Sequence, residues 1–126
     1  MVAMSIGLRV AVPILRIFDE ARARAFYLDF LGFTEEWTHR FEPGLPAYVR
    51  VRRDDVVLDL SEHHGDGSPG VAVWLALDDL RAFHAELHAK PFAGMRPGVD
   101  VDAPGGPTME VVDPFSNTLR FCQVTG

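Results

Sequence analysis

Two histidines one helical turn apart, His84 and His88, bracket Glu86 in the run His-Ala-Glu-Leu-His. Side chains of this kind hold zinc and activate water. The metalloprotease helix, however, needs its glutamate directly after the first histidine. Here it comes two places on and points elsewhere, so the pair is read as flanking a buried helix face. A second cluster, Glu62-His63-His64, could recruit a metal to a loop. Gly65, Asp66, Gly67, Ser68, Pro69 and Gly70 follow it directly, which is the composition of a solvated joint. The functional reading places one of these histidines at the mouth of a cleft, and His64 is a candidate ligand contact. Cys122 is the only cysteine. It permits no internal disulfide and no cysteine-rich metal site, and it reads as an inert buried thiol. No Ser–His–Asp arrangement is supported by spacing. Gly105-Gly106 lies between strands, where it cannot act as a phosphate loop.

The elements that would position such groups occur twice. Residues 8–62 and 70–124 each read as strand, capped helix and three further strands. The first helix opens on Asp19 and places Ala23, Phe26, Tyr27, Phe30 and Leu31 on one face, with Gly32 at a left-handed end. The second opens on Asp78 or Asp79 and buries Leu80, Phe83 and Leu87. Residues 8–17 suit a largely buried strand. Residues 45–51 alternate, with Ala47, Val49 and Val51 on one side and Tyr48, Arg50 and Arg52 on the other. Arg53-Asp54-Asp55 reads as a tight hairpin. Residues 91–98 read as a weak edge strand and 100–107 as a loop. Two copies are too few for a solenoid. They predict one domain over 1–126, an α+β fold of two tandem βαβββ modules with a cleft between the copies.

Composition narrows the function. A formal charge of −6 and a pI near 5.2 disfavour nucleic-acid binding, which needs a basic footprint. That charge serves solubility and also attracts cationic ligands. Nothing is long and apolar enough to span a membrane. Residues 1–5 lack the pattern of a secretory leader. With the single cysteine, these points favour the cytoplasm.

Three stretches carry a family likeness. Phe26-Tyr27…Phe30-Leu31-Gly32-Phe33, Leu77-Asp78-Asp79-Leu80 and Asp113-Pro114-Phe115-Ser116-Asn117-Thr118-Leu119 resemble the "FY…LGF", "VDDL" and "DPDGNxI" signatures of the vicinal-oxygen-chelate superfamily. That superfamily holds glyoxalase I, extradiol dioxygenases and bleomycin resistance proteins. Val12-Pro13 and Ser61-Glu62-His63-His64-Gly65-Asp66 look most like its bleomycin-resistance branch. The resemblance implies a curled eight-stranded mixed sheet around a cleft. It also implies one divalent ion, in the metal-using members, held from the first and last strands of each module. Carried over by register, those positions are Val12, Asp59, Ala72 and Arg120. Only Asp59 is a ligand type, and Arg120 is a permanent cation. The expectation is no metal and no cofactor, with an ion pair between Asp59 and Arg120 replacing the ion.

Trp37, Tyr48, Trp74, Phe92, Met95, Met109 and Phe115 are candidates to line the cleft. Trp37, Tyr48 and Trp74 suit stacking on a planar ligand. The predicted ligand-binding set is Trp37, Tyr48, Asp59, His64, Trp74, Met109 and Arg120. The resemblance implies a non-catalytic protein that sequesters a bleomycin-like antibiotic, possessing a cleft lined by both chains of a homodimer. Carboxylates such as Asp59 would meet the cations of an aromatic ligand. The alternatives are a metal-dependent lyase, isomerase or dioxygenase, and a binder of another metabolite.

Overall fold

The structure, a computed structural model, describes residues 5–92 and 97–125. The first module runs β1 (Ile14–Arg16), α1 (Glu20–Arg24), β2 (Thr34–His39), β3 (Tyr48–Arg53) and β4 (Val56–Ser61). The second runs β5 (Ala72–Leu77), α2 (Leu80–His88), β6 (Val99–Asp100), β7 (Thr108–Val112) and β8 (Thr118–Gln123). The eight strands divide into two four-stranded mixed sheets, ordered β1-β4-β3-β2 and β5-β8-β7-β6. In each, the module's first strand lies parallel to its last, and the remaining pairs are antiparallel.

Local chemistry explains the helices. The Asp19 carboxylate accepts from the Arg22 N–H at 3.0 Å, satisfying a donor that the helix leaves open. Asp79 does the same for α2, accepting from the Ala82 N–H at 3.0 Å. Beyond Arg24 the first helix widens into a π-helix, Ala25–Phe30. There the Leu31 N–H donates to the Phe26 carbonyl, five residues back, at 2.9 Å. All five residues of the predicted face are buried. Gly32 ends the helix at φ +76°, a conformation that a side chain disfavours.

One core joins both modules. Val49, Val51, Leu58 and Leu60 from the first sheet meet Phe26, Tyr27 and Phe30, and the same cluster takes in Leu80, Leu87, Val111, Leu119 and Phe121. Each fully buried large apolar side chain contributes about 1.5–3 kcal/mol. Polar contacts stitch the modules as well. The Tyr27 hydroxyl donates to Asp113 Oδ2 at 2.7 Å, and Asn117 Nδ2 donates to the Arg16 carbonyl at 2.9 Å. Arg53 grips Glu86 through two bonds of 2.6 and 2.8 Å.

Two expectations change. The strand read over 8–17 pairs only at Ile14–Arg16, against Asp59–Ser61 of β4. The Pro13 carbonyl still accepts from the Asp59 N–H at 3.0 Å, but residues 5–12 belong to no strand, and Ile6, Leu8 and Val10 stand 94%, 97% and 75% exposed. Their β-forming sequence is real, but a strand needs a neighbour to bond. The short β6, Val99–Asp100, lies at the junction of the expected edge strand and the expected loop. Residues 93–96 of the expected edge strand, including Met95, lie outside the described residues. No described helix is long and apolar enough to cross a membrane.

Candidate functional site

Alternation along the strands gives each sheet a core face and an open face. On β3, Val49 and Val51 enter the core while Tyr48 and Arg50 face outward. The turn at Asp54-Asp55 pairs Arg53 with Val56, and counting outward places Arg50 opposite Asp59. A bulge on β2 leaves Glu36 as the extra residue and sets Trp37 opposite Arg50. One rung of the first sheet therefore reads Ile14, Asp59, Arg50, Trp37 across four strands.

The side chains of that rung interlock. Arg50 donates Nε to Asp59 Oδ1 at 2.7 Å and Nη2 to Oδ2 at 2.9 Å. The Tyr48 hydroxyl also donates to Asp59 Oδ2. The Trp37 ring lies over the Arg50 guanidinium, 4.9 Å from centroid to Cζ, and stacks on Tyr48 at 5.7 Å and 11°. Asp59 is thereby sealed, its side chain 2% exposed, while the Arg50 side chain remains 32% exposed. Burial, then the hydrogen bond and charge of Asp59, push the Tyr48 phenol up to about 12. An ionised phenolate would otherwise sit beside a carboxylate.

The second sheet repeats the rung in mirrored order. Trp74 on β5 is the neighbour of Arg120 on β8, and Arg120 is the neighbour of Glu110 on β7. Arg120 Nε donates to Glu110 Oε1 at 2.8 Å. Trp74 is 54% exposed. With Arg120, Glu110, Thr108, Val99 and Pro104 it lines a cavity of 660 Å³. A Cβ at Gly105 would meet Cys122 Sγ at 3.7 Å and the Trp74 ring at 3.9 Å, and Cys122 is fully buried. Both walls thus present a tryptophan ring, then a guanidinium, then a carboxylate.

Five of the predicted ligand residues therefore fall into two groups: Trp37, Tyr48 and Asp59 on one face, Trp74 and Arg120 on the other. Met109 joins neither. It is fully buried, because the alternation of β7 turns it to the core while Thr108 and Glu110 turn out. His64 is exposed on the joint. His63 meets Phe41 edge-on at 6.2 Å, and Glu62 accepts from the Ala47 N–H at 3.0 Å. Phe92 stacks on Phe30 at 4.7 Å, and Phe115 is in the core. The expected pair between Asp59 and Arg120 is replaced by two others. Each charge is neutralised by its cross-strand neighbour, at 2.7 Å for Arg50 and Asp59 and 2.8 Å for Arg120 and Glu110. Asp59, sealed by Arg50 and Tyr48, does not face a ligand cation. Arg50, placed beside Tyr48 by the alternation, and Glu110 were not among the candidate ligand residues, although the two-residue turn already fixed the register of Arg50.

The same registers show what lies beside the carried-over metal positions. Ile14 and Trp74, two residues beyond Val12 and Ala72, neighbour Asp59 and Arg120. A hydrocarbon, an indole, a guanidinium and one engaged carboxylate do not fit a divalent ion. His84 and His88 stack at 4.0 Å, and His88 Nε2 bonds the Pro97 carbonyl at 2.8 Å. Among the described residues no three potential ligands gather. A second cavity of 420 Å³, bordered by Arg53, Asp54, Asp79, Phe83 and Glu86, marks the seam between modules. Its arginine is committed to Glu86 and to the Leu31 carbonyl.

A family profile described as glyoxalase superfamily protein matches residues 2–126. Among solved structures, the bleomycin-binding protein of bleomycin-producing Streptomyces verticillus, complexed with copper(II)-bleomycin, is 25% identical with a TM-score of 0.73, covering 96% of this chain and 100% of that one. The bleomycin resistance determinant encoded on transposon Tn5 is 24% identical with a TM-score of 0.69, covering 94% and 100%. TnmS3, an antibiotic binding protein from Streptomyces sp. CB03234, is 23% identical with a TM-score of 0.69, covering 98% and 100%. The last two show the shared fold. No curated protein matches significantly.

Proposed function

The chain belongs to the glyoxalase superfamily, and within it we propose that it is a non-catalytic binding protein that holds a flat, antibiotic-like small molecule intact. The observation that carries this reading is the pair of tryptophan rings. Trp37 and Trp74 are 40% and 54% exposed, each beside a charged pair on an open sheet face. Large apolar rings in such a place lose free energy to water unless a ligand or partner covers them. The donor set around Asp59 and Arg120 suits stacking and hydrogen bonding and lacks the ligands of a metal enzyme. The likeness to a protein solved with copper(II)-bleomycin makes bleomycin the first ligand to try.

Each open face is one wall of a site, and a second copy of the chain would supply the facing wall. The exposed apolar residues Ile6, Leu8, Val10, Ile14 and Val112 support such a homodimer, since they have no cover within the chain. The buried thiol of Cys122 suits a reducing cytoplasm.

The test is titration of the tryptophan fluorescence with metal-free and copper-loaded bleomycin, followed by recovery of the drug. Quenching that saturates, with the drug returned unchanged, supports binding. No change at concentrations far above the micromolar range removes bleomycin as the ligand. A chemically altered drug removes the non-catalytic reading.

A further inference from the structure

The two walls share a pattern but differ in how their charges are held, and that difference points to what the site selects. Arg120 and Glu110 are half exposed, 50% and 56%, and share one hydrogen bond. A pair so solvated is screened and holds its geometry weakly. Arg50 and Asp59 differ. The carboxylate is 2% exposed, the guanidinium 32%, and two parallel bonds fix their relative orientation. Nε and Nη2 share one edge of the planar guanidinium, and that edge is spent on Asp59. The end-on edge remains, carrying Nη1 and the second hydrogen of Nη2. Among the described residues Nη1 has no hydrogen-bond partner.

The other charges facing this edge are accounted for. Arg52, two residues along the same face, bonds Glu36 at 3.2 Å. Tyr48 keeps its proton. Asp66, which accepts from the Ser61 hydroxyl at 2.8 Å and bears on Tyr48, is a third carboxylate of this wall, set with Asp59 and Glu36 against two arginines. The wall is dipolar, because Asp59 lies inside and Arg50 outside. A chain of net charge −6 thus presents an oriented cation beside its stacking ring. A bound cation would meet that guanidinium directly, whereas an oxyanion would complete a second bidentate pair with it.

We propose that Arg50 is the specificity-determining residue of the first wall, and that the ligand it selects is a planar aromatic molecule with an oxyanion, a carboxylate in its simplest form, on its edge. The ring packs on the exposed edge of the Trp37 indole, which is 40% exposed, while the oxyanion takes the end-on edge of Arg50. Asp59 is a positioning residue that holds the fork at a fixed angle. The inference rests on the reading that the open faces bind flat small molecules, and it names the class.

The chain has two tryptophans, so the two indole N–H signals of isotope-labelled protein report the two walls separately. The probes are 2-naphthoate, 2-naphthamide and 2-naphthylmethylammonium, which share one ring system and differ in charge. Naphthoate should move the Trp37 signal at about tenfold lower concentration than the ammonium probe, with the amide between them. Arg50→Met alone strands the buried Asp59 and risks the fold. The double variant R50M/D59L replaces both partners by apolar groups, and it should bring the three probes within about twofold of one another. Arg50→Lys keeps a cation without the fork and should restore part of the preference. A Trp37 signal that follows the ammonium probe first, or a preference unchanged in R50M/D59L, overturns the proposal while leaving small-molecule binding intact. Silence of both tryptophans to all three probes overturns the binding reading and the proposal with it.

Discussion

Tyr48 donates its phenolic hydrogen to Asp59 Oδ2, the same oxygen that accepts from Arg50 Nη2. The bond joins neighbouring strands and closes the inner end of the Trp37 wall. Burial, with this bond and the charge of Asp59, holds neutral well beyond pH 10.0 a group commonly free to ionise there.

The two tyrosines of the chain should both resist alkaline titration. Burial, and then the charge and hydrogen bond of Asp113, hold Tyr27 well above the ordinary 10.0. Tyr48 is pushed up to about 12, chiefly by burial and by Asp59. Phenolate absorbance should stay flat through pH 10.0 and rise only as the fold is lost or as pH nears 12. The sign follows from linkage. The fold binds the phenolic proton more tightly than the unfolded chain, so this stabilisation is complete below 10 and disappears as pH climbs to about 12. In Asp59→Asn the carboxylate charge is gone, and the Tyr48 transition should fall toward its ordinary value. Half of the phenolate signal appearing near pH 10.0 in the unaltered protein would contradict the bond.

Tyr27 makes the corresponding contact between modules, donating to Asp113 at 2.7 Å. Asp113 also accepts the Phe115 and Asn117 N–H groups at 2.8 Å and Asn117 Nδ2 at 2.9 Å. It orders the turn into β8 and ties that turn to the first helix. Tyr27→Phe removes one donor and leaves the other three. It should cost about 1–2 kcal/mol, because a buried carboxylate loses one of several partners. Chemical denaturation should show the loss as a lower midpoint with an unchanged slope. A variant as stable as the parent would mean that the bond contributes nothing to the seam.

The sequence made the helices legible because each carries its own signals. Asp19 and Asp79 cap, and Gly32 stops, through bonds within a few residues. The strands were legible where alternation was clean, as at Val49 and Val51. Residues 8–13 were misread because a β-forming sequence says nothing about whether a neighbouring strand exists to pair with. The site was half legible. Trp37, Tyr48, Asp59, Trp74 and Arg120 could be named from residue type and repeat position. Their partners required register across strands, which is a long-range property. Arg50 was within reach, since the turn after Arg53 dictates which residue faces Asp59. Glu110 was not, because the five-residue connection between β7 and β8 permits several registers. The supposed bridge between Asp59 and Arg120 failed for the same reason. Equivalence in a repeat says that two residues occupy like places, and it does not say that they meet.

Glu86 ties stability to pH at the acid end. The Arg53 hydrogen bond, opposed in part by burial, lowers its carboxyl below the ordinary 4.5, and the charges of Arg53 and Lys90 add to this. A lowered carboxyl stabilises the fold above its unfolded value and ceases to do so as pH falls through the folded one. The window therefore lies below 4.5. Glu86 and Arg53 are 35% and 31% exposed, so solvent screening keeps the effect to roughly 1 kcal/mol or less. Glu86→Gln should lower stability at neutral pH and flatten its decline below 4.5, read as denaturation midpoints across an acid series. An identical decline in the variant would assign the acid response to other carboxylates.

Gly32→Ala tests the same seam from the first module. Gly32 adopts φ +76°, and an added Cβ would come within 2.6 Å of Arg53 Nη1. The backbone conformation alone disfavours alanine by about 1 kcal/mol. The flexible end of Arg53 can yield to the methyl group, but Nη1 is the atom that bonds both the Leu31 carbonyl at 2.8 Å and Glu86 at 2.6 Å. Moving it loosens the helix end and the ion pair together. The variant should therefore lose more stability than the backbone term explains, about 2 kcal/mol in all, with the excess shared with Glu86. In a double-mutant cycle, Glu86→Gln should cost less in the Gly32→Ala background than in the parent, and the acid response should already be blunted by Gly32→Ala alone. Strictly additive losses would show that Arg53 steps aside without releasing Glu86, and would leave the strain of the left-handed residue as the whole effect.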